Sequence, residues 1–373
     1  MKLPRFGLLE WLDSHVAATP PIRCNLAGSA GPVWKFGDLL SLGDGALRDE
    51  LETMTATYAP TEGSPRLREQ IAKLHGVDPD WVVVTTGASE ALSLLMCVVS
   101  EPAASIVLPA PGYPATELMA TAWGLGIRHY QLEAEKRFEQ SAARVLSAVD
   151  ASTRLALVNS PHNPTGSVMA AQELRNLAGE LAERSIPLVS DEVFHRVYFG
   201  EAQPSAALAS NTIVIGDMSK ALSLPGVRMG WLIDANPDRR GRIIAARGIF
   251  SISGSPILEA MSVAALGARD QILERANANA SANVAALERF IGSSASKLRW
   301  VKPMGGTLAF PWRVDGSDAR PLCEAWAKEG VLVAPGDCFG MPSHMRIGYG
   351  SAEPAAFEEA LARMGRVLRD FRA

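Results

Sequence analysis

The chain has 373 residues, 47% of them hydrophobic and 20% charged, with a formal net charge of -4. That balance excludes a disordered chain, and the length predicts two domains or one large layered domain with an appendage. The negative charge offers no basic field for nucleic acid, and the longest apolar stretch, near Ala91–Val99, is far shorter than the roughly 18–20 residues of a membrane helix.

In chain order, Met1-Lys2-Leu3-Pro4-Arg5 lacks the apolar core and small-residue cleavage site of a secretory signal, so a cytoplasmic location is expected. The first ~35 residues show no alternation of strand and helix and are expected to pack with a small domain. Apolar runs then predict buried strands at Trp81–Val84, Ser105–Leu108, Leu155–Asn159, Pro187–Ser190, Thr212–Gly216 and Met229–Ile233. Helical patterns fall between them at Ser89–Val99, Ala115–Trp123, Ala142–Val149, Ala171–Arg184 and Pro237–Ile249. Such alternation implies an α/β fold with a mostly parallel sheet covered on both faces. Sheets of this kind bind ligands at the carboxyl ends of their strands. Ser255–Ile291 reads as one long helical stretch. It is followed by strands at Leu298–Val301, Thr307–Val314, Val331–Ala334 and Met345–Gly348, and helices at Ala319–Glu329 and from Ala352. The expected organisation is a large domain over 36–275 and a smaller α+β domain formed by 1–35 and 276–373. Cys24, Cys97, Cys323 and Cys338 form no CxxC pair and match no zinc spacing, which favours free thiols.

The segment Gly216-Asp217-Met218-Ser219-Lys220 carries the first chemical signal. An apolar strand runs into Ser-Lys, and a Pro225-Gly226 turn and Arg228 follow. A lysine desolvated at a strand end has a lowered pKa, and its neutral amine can form a Schiff base with an aldehyde. Ser219 and Arg228 are placed to hold a phosphate. Taken alone, Ser-Lys is more often an exposed turn. Other segments have equally plain readings on their own. Gly87-Ala88-Ser89 is a helix start and an anion site at once. Asp191 is a buried carboxylate in need of a cation, a salt bridge or a cap. Asn163 sits in a good turn, Tyr113 and Val193 are candidates for packing, and Arg346 is a strand arginine whose fork matches a carboxylate. A metal site from Asp191, Glu192 and His195 lacks a third well-spaced ligand block.

These blocks occur in one order: Tyr58 with Gly63, Leu67 and Arg68; Thr86-Gly87-Ala88-Ser89-Glu90-Ala91; Pro111-Gly112-Tyr113-Pro114; Asn159-Ser160-Pro161-His162-Asn163-Pro164-Thr165-Gly166; Asp191-Glu192-Val193; Ser219-Lys220 with Gly226-Val227-Arg228-Met229-Gly230; and Met345-Arg346-Ile347. The set resembles the class I/II aminotransferases, the fold-type I enzymes of pyridoxal 5′-phosphate (PLP), over nearly the whole chain. The resemblance implies the PLP-dependent transferase fold, with a mostly parallel sheet of seven strands between helices. It implies that Lys220 carries the cofactor as a Schiff base and moves the α-proton, and that Asp191 keeps the pyridine nitrogen protonated so the ring takes up electrons. Tyr113 would stack on the ring and join the catalytic set, with Val193 on the opposite face. Asn163 would bond the phenolic oxygen and border the substrate. Gly87, Ala88, Ser89, Ser219 and Arg228 would hold the phosphate, and Arg346 would clamp the substrate carboxylate. Tyr58 would reach the phosphate of a neighbouring subunit, which implies a homodimer with shared active sites.

Two positions depart from the family pattern. Phe194 replaces a frequent tyrosine and removes a phenol that would donate to the cofactor O3′, which predicts a higher pKa for the lysine–cofactor imine. Asp217 replaces a hydroxyl residue and would repel a phosphate unless it points away or pairs with Arg228 or another cation. The expected activity is transfer of an amino group from an L-amino acid to a 2-oxo acid, with neither nucleic acid nor membrane as partner. Elimination or cyclisation through the same carbanion is the competing reading, because fold does not fix the reaction. A PLP-binding transcription regulator fits less well, since the Tyr58 block starts too early for a preceding DNA-binding domain. Trp34, Lys35, Asn25 and His162 are candidate pocket residues without assigned roles.

Overall fold

The computed structural model describes residues 4–42 and 45–371. The outermost residues of the segments expected in the small domain, 1–3 and 372–373, lie outside the described residues, as do 43 and 44.

Among the described residues of the first two thirds of the chain there are eight strands: β1 Cys24–Asn25, β2 Val82–Thr85, β3 Ser105–Ala110, β4 Gly126–Gln131, β5 Thr153–Asn159, β6 Leu188–Asp191, β7 Thr212–Asp217 and β8 Gly230–Asp234. All but β1 form one seven-stranded sheet in the order β2-β8-β7-β6-β5-β3-β4. The pairs from β7 through β6, β5 and β3 to β4 are parallel, and β8 runs antiparallel to both β7 and β2. Successive side chains of a strand point to opposite faces. Here the alternation sorts the core into two layers. Val83, Ile106, Leu155, Leu157, Val189, Ile213, Ile215 and Leu232 pack with Leu92 and Leu95 of helix Gly87–Val99 and with Ile243 of helix Pro237–Phe250. Val82, Val84, Val107, Ala156, Val158, Leu188, Val214 and Ile233 pack on the other side with Leu177 and Leu181 of helix Ala171–Glu183. Helices on both faces explain why β2, β6, β7 and β8 are buried at every position. Burying each Val, Leu or Ile in such a layer contributes about 1.5–3 kcal/mol.

The remaining strands are short: β9 Leu298–Arg299, β10 Leu308–Ala309, β11 Trp312–Arg313, β12 Val331–Leu332, β13 Ala334–Pro335 and β14 Met345–Gly348. The expected strand Thr307–Val314 is interrupted at Pro311, which has no N–H for a ladder. Its two halves, β10 and β11, pair with β14 and β9. The helical stretch Ser255–Ile291 divides at Ala268 into Pro256–Gly267 and Arg269–Ser293, so residue 275 lies inside a helix. The N-terminal segment is tied to the C-terminal third. β1 pairs parallel with β12, and Trp11 Nε1 donates to the Val333 carbonyl at 3.0 Å.

Candidate functional site

β5, β6 and β7 end side by side, with Asn159 opposite Asp191 and Asp191 opposite Ile215. The chain that leaves β7 at Asp217 turns through Met218 and Ser219 to Lys220. Asp217 Oδ1 accepts from the Ser219 N–H at 2.9 Å. Lys220 Nζ donates to Ser29 Oγ at 2.8 Å. Burial lowers the Lys220 pKa, which the carboxylates of Asp217 and Asp191 oppose and the charges of Arg346 and Arg228 reinforce. This is the environment of an amine that gives up its proton easily and attacks carbonyl carbon. Ser29 carried no signal in the sequence, since it lies 191 residues from Lys220 in a segment without periodicity.

Beside this lysine, β2 runs into helix Gly87–Val99, whose N-cap Thr86 makes no side-chain cap. Gly87 has φ +75, and a Cβ there would stand 2.8 Å from an Arg228 guanidinium nitrogen. Glycine takes that left-handed backbone without strain and leaves the guanidinium room to approach. Arg228 is exposed and is also left-handed, at φ +53, and its Nη1 donates to the Pro225 carbonyl at 3.1 Å. Ser219 Oγ is buried without a partner among the described residues. An uncapped helix N-terminus, a guanidinium and an orphaned buried hydroxyl together make a cradle for a phosphate. Ser89 is exposed in the first turn and Ala88 is half-buried.

Asp191 lies 7% exposed in this row of strand ends. Its Oδ1 accepts from the Val193 N–H at 3.2 Å, and burial raises its pKa to about 7. No ion pair among the described residues involves Asp191 or Asp217. Asp217 is also buried, its pKa raised by burial and held down chiefly by Lys220. Of the cations named as possible partners, Arg228 forms no ion pair with it among the described residues, and Lys220 is the charge that lowers its pKa most. Asn159 clamps the floor: its Nδ2 donates to the Asp191 carbonyl at 3.0 Å and its Oδ1 accepts from the Asn163 N–H at 2.7 Å. Val193 and Phe194 are buried in a small cluster with Leu308 against Ala88. Tyr113, the N-cap of helix Pro114–Ala122, is partly buried with its ring 6.3 Å from that of Phe6. Burial raises its phenol pKa.

Arg346, on β14, is 2% exposed. Its guanidinium donates to Asn163 Oδ1 at 3.1 Å and to the Ala27 carbonyl at 2.6 Å, and it lies 4.9 Å from the Phe339 ring centroid. Its Nε has no partner among the described residues, and burial lowers its pKa to about 10. A buried guanidinium without a carboxylate is costly, so this arginine is prepared for an anionic ligand. A cleft of about 810 Å³ lies next to these groups, lined by Tyr113, Asn159, Asp191, Trp312, Phe339 and His344 among others.

Several candidates lie apart. Tyr58 is 81% exposed. Its loop is held by a hydrogen bond from Arg247 to the Thr61 carbonyl. Nearby in sequence to Arg247, the end of helix Pro237–Phe250 exposes Ile249 at 79%, Phe250 at 57% and Ile252 at 51%. Trp34 packs under Arg275, Asn25 caps the Ala27 N–H, Lys35 is exposed, and His162 bonds Thr165 with its pKa lowered to about 3 by burial. None of these four lines the large cleft.

Comparison with known proteins gives the family. The family described as aminotransferase class I and II matches residues 45–364. Capreomycidine synthase of Streptomyces vinaceus is 30% identical over 372 residues, covering 98% of this chain and 94% of that protein. Valine–pyruvate aminotransferase of Mycobacterium tuberculosis is 32% identical over 332 residues, 83% of each chain. A PLP-dependent aminotransferase from Streptococcus suis superposes with a TM-score of 0.91 at 26% identity, covering 100% of both chains. The sheet order, the helix-start cradle beside the strand-end lysine and these likenesses lead to one assignment: the chain belongs to the class I and II aminotransferase family, whose cofactor is pyridoxal 5′-phosphate.

Proposed function

We propose that this protein is an aminotransferase that moves an amino group from an L-amino acid to a 2-oxo acid. The observation that carries the reading is Arg346, a fully buried guanidinium with neutral acceptors and no carboxylate among the described residues. It suits the α-carboxylate shared by an amino acid and a 2-oxo acid.

The residues present fit the cofactor. Gly87, Ala88, Ser89, Ser219 and Arg228 would hold its phosphate, with Ser219 Oγ supplying a donor that is otherwise unpartnered. Asp191 would meet the pyridine nitrogen. A cationic ring nitrogen removes the cost of ionising that buried carboxyl. Tyr113 and Val193 would cover the two ring faces, and Asn163 would reach the phenolic oxygen. When bound, pyridoxal 5′-phosphate supplies an aldehyde that takes up amines and a ring that withdraws electrons from the substrate Cα. Arg346 orients the substrate by its carboxylate, and Asn163 braces the guanidinium. Lys220 Nζ, whose pKa burial lowers, takes the Cα proton and later gives it back at another carbon.

The same reading has two subunits sharing active sites. The exposed Tyr58 and the apolar Ile249, Phe250 and Ile252 support it, because isolated monomers rarely leave such a group of large apolar side chains in water. A dimer in sedimentation that becomes monomeric in Ile252→Asp is the expected result, and a monomeric wild type overturns it. A cytoplasmic location, with four free cysteines, and a division between a large part and a small part at residue 275 belong to this reading as well.

A cyclase reading is the second, favoured by the likeness to capreomycidine synthase over 98% of the chain. One experiment separates the two. Single amino acids are mixed with the holoenzyme without any 2-oxo acid, and the cofactor's visible band is followed. Loss of the band with release of the matching 2-oxo acid supports transamination. A persistent band with a cyclic product or free ammonia supports the second reading and removes the first.

A further inference from the structure

The segment 26–31 crosses the site as a strap, and almost every residue of it is fastened. Leu26 donates to the Leu332 carbonyl at 2.8 Å and accepts from the Gly348 N–H at 2.6 Å. The Ala27 carbonyl takes a hydrogen bond from Arg346 at 2.6 Å. Gly28 lies so close to Gly348 that a Cβ on Gly348 would collide with the Gly28 carbonyl oxygen. The Ser29 carbonyl accepts from Thr307 Oγ1 at 2.9 Å, and the Thr307 carbonyl in turn accepts from the Tyr349 N–H at 2.9 Å. Gly31 is pressed against Ser223, three residues beyond Lys220. The strap therefore holds the two working ends of the site at a fixed separation, Arg346 at Ala27 and Lys220 at Ser29.

We infer that Ser29 is a positioning residue for Lys220, its hydroxyl holding the free amine in line with the proton it must carry. This rests on the role proposed above for Lys220. Nζ is free only while substrate occupies the cofactor. During that interval a four-carbon side chain with several rotamers has to return to one place, and a fixed partner limits that search. Ser29 Oγ accepts from Nζ at 2.8 Å, leaving the nitrogen lone pair for the substrate proton. In the step itself the Cα–H bond breaks, an N–H bond forms on Nζ, and the electron pair from Cα is taken up by the bound cofactor. The resulting ammonium keeps one N–H on Ser29 Oγ, which favours the charged form.

The test uses holoenzyme of the wild type, Ser29→Ala and Ser29→Thr. Each is supplied with an amino acid that reacts with the wild type, in D2O, and exchange of its Cα hydrogen is followed. Ser29→Ala is expected to slow exchange and kcat about tenfold, the effect of one lost hydrogen bond to a charged group. KM should change little, and a Cα-deuterated substrate should show a larger isotope effect on kcat. Ser29→Thr, which keeps the hydroxyl, should recover most of the rate. A readout independent of turnover is the pH dependence of cofactor uptake by the cofactor-free chain. Ser29→Ala should move its midpoint to lower pH, because the ammonium of Lys220 has lost an acceptor. Unchanged exchange and an unchanged uptake midpoint in Ser29→Ala overturn the inference, as does a defect confined to KM. A Lys220→Ala variant that keeps the cofactor band unchanged overturns the underlying role of Lys220 instead, so the two failures are distinguishable.

Discussion

Asp191 and Glu192 are neighbours in the chain, both buried, both raised by burial to a pKa of about 7, yet they serve different cavities. Glu192 faces a pocket of about 220 Å³ behind the sheet end. Its Oε1 accepts from the Ala206 N–H at 2.7 Å and from Ser190 Oγ at 3.1 Å, and its Oε2 lies 3.9 Å from His75 Nδ1. The histidines there are tied up as well. His75 takes a hydrogen bond from Trp231 Nε1 at 3.2 Å, and His195 bonds Tyr198 at 2.7 Å. Asp191 borders the large cleft and, among the described residues, its side chain has a single hydrogen bond, from the Val193 N–H. A raised pKa thus marks burial in both places. What separates them is how many partners the protein itself provides: Glu192 Oε1 accepts two hydrogen bonds while its Oε2 has none among the described residues, and Asp191 accepts one beside the much larger cleft.

Several experiments break or sharpen this contrast. The largest effect is expected at Lys220. Lys220→Ala should abolish the cofactor's visible band and lower turnover by about 10³-fold or more, as read by absorbance and by coupled assay. Next is Arg346→Leu, which removes a charge-assisted contact to substrate and leaves Asn163 Oδ1 and the Ala27 carbonyl without their donor. The value of kcat/KM for the amino acid should fall about 100-fold, mostly through KM. A fall in kcat alone would contradict a role in binding the carboxylate.

Asp191→Asn and Glu192→Gln address the contrast directly. Asp191→Asn should lower kcat about 10- to 100-fold, while Glu192→Gln should leave kcat within about twofold. The linkage sign is the same for both carboxyls. Each binds its proton more tightly in the folded chain, so the stability it contributes is complete below its unfolded pKa of about 4 and is lost as pH rises towards about 7. The melting temperature of the cofactor-free protein should therefore fall across that window, and each variant should flatten part of the fall. Added cofactor should restore the share that belongs to Asp191 and leave the Glu192 share untouched. Equal restoration of both shares would mean that the two cavities are not distinct in function.

The smallest effect concerns Phe194, which is 2% exposed beside Val193 and Leu308. Phe194→Tyr introduces a phenol next to the floor and should lower the pH midpoint of the cofactor's visible band by a few tenths of a unit to about one. A midpoint that does not move means the added hydroxyl does not reach the cofactor oxygen.

The elements differ in how much of them could be read from the chain. β3, β5, β6 and β7 were plain because each is buried on both faces and so nearly uniformly apolar. β4 carries no such signal, for the opposite reason. It is one of the two sheet edges, Gly-Ile-Arg-His-Tyr-Gln, with a single buried position, Tyr130, and an edge strand needs no apolar run. Trp81, apolar and next to Val82, reads as part of β2 but closes the 3-10 turn Pro79–Trp81 before it, because the Asp78-Pro79 start imposes a turn.

By itself the sequence determined the sheet class, the helix-start glycine at Gly87 and the ordered set from Tyr58 to Arg346, since each depends on local periodicity or on residue chemistry at short spacing. Only the tertiary structure decided which groups meet. It put Ser29 on Lys220, Ala27 on Arg346 and Asn159 under both Asp191 and Asn163. It also buried Asp217 within reach of the Lys220 charge and set Glu192 at a separate pocket. These contacts join segments far apart in the chain, and their geometry follows from how the strands pack, which no local pattern of residue types records.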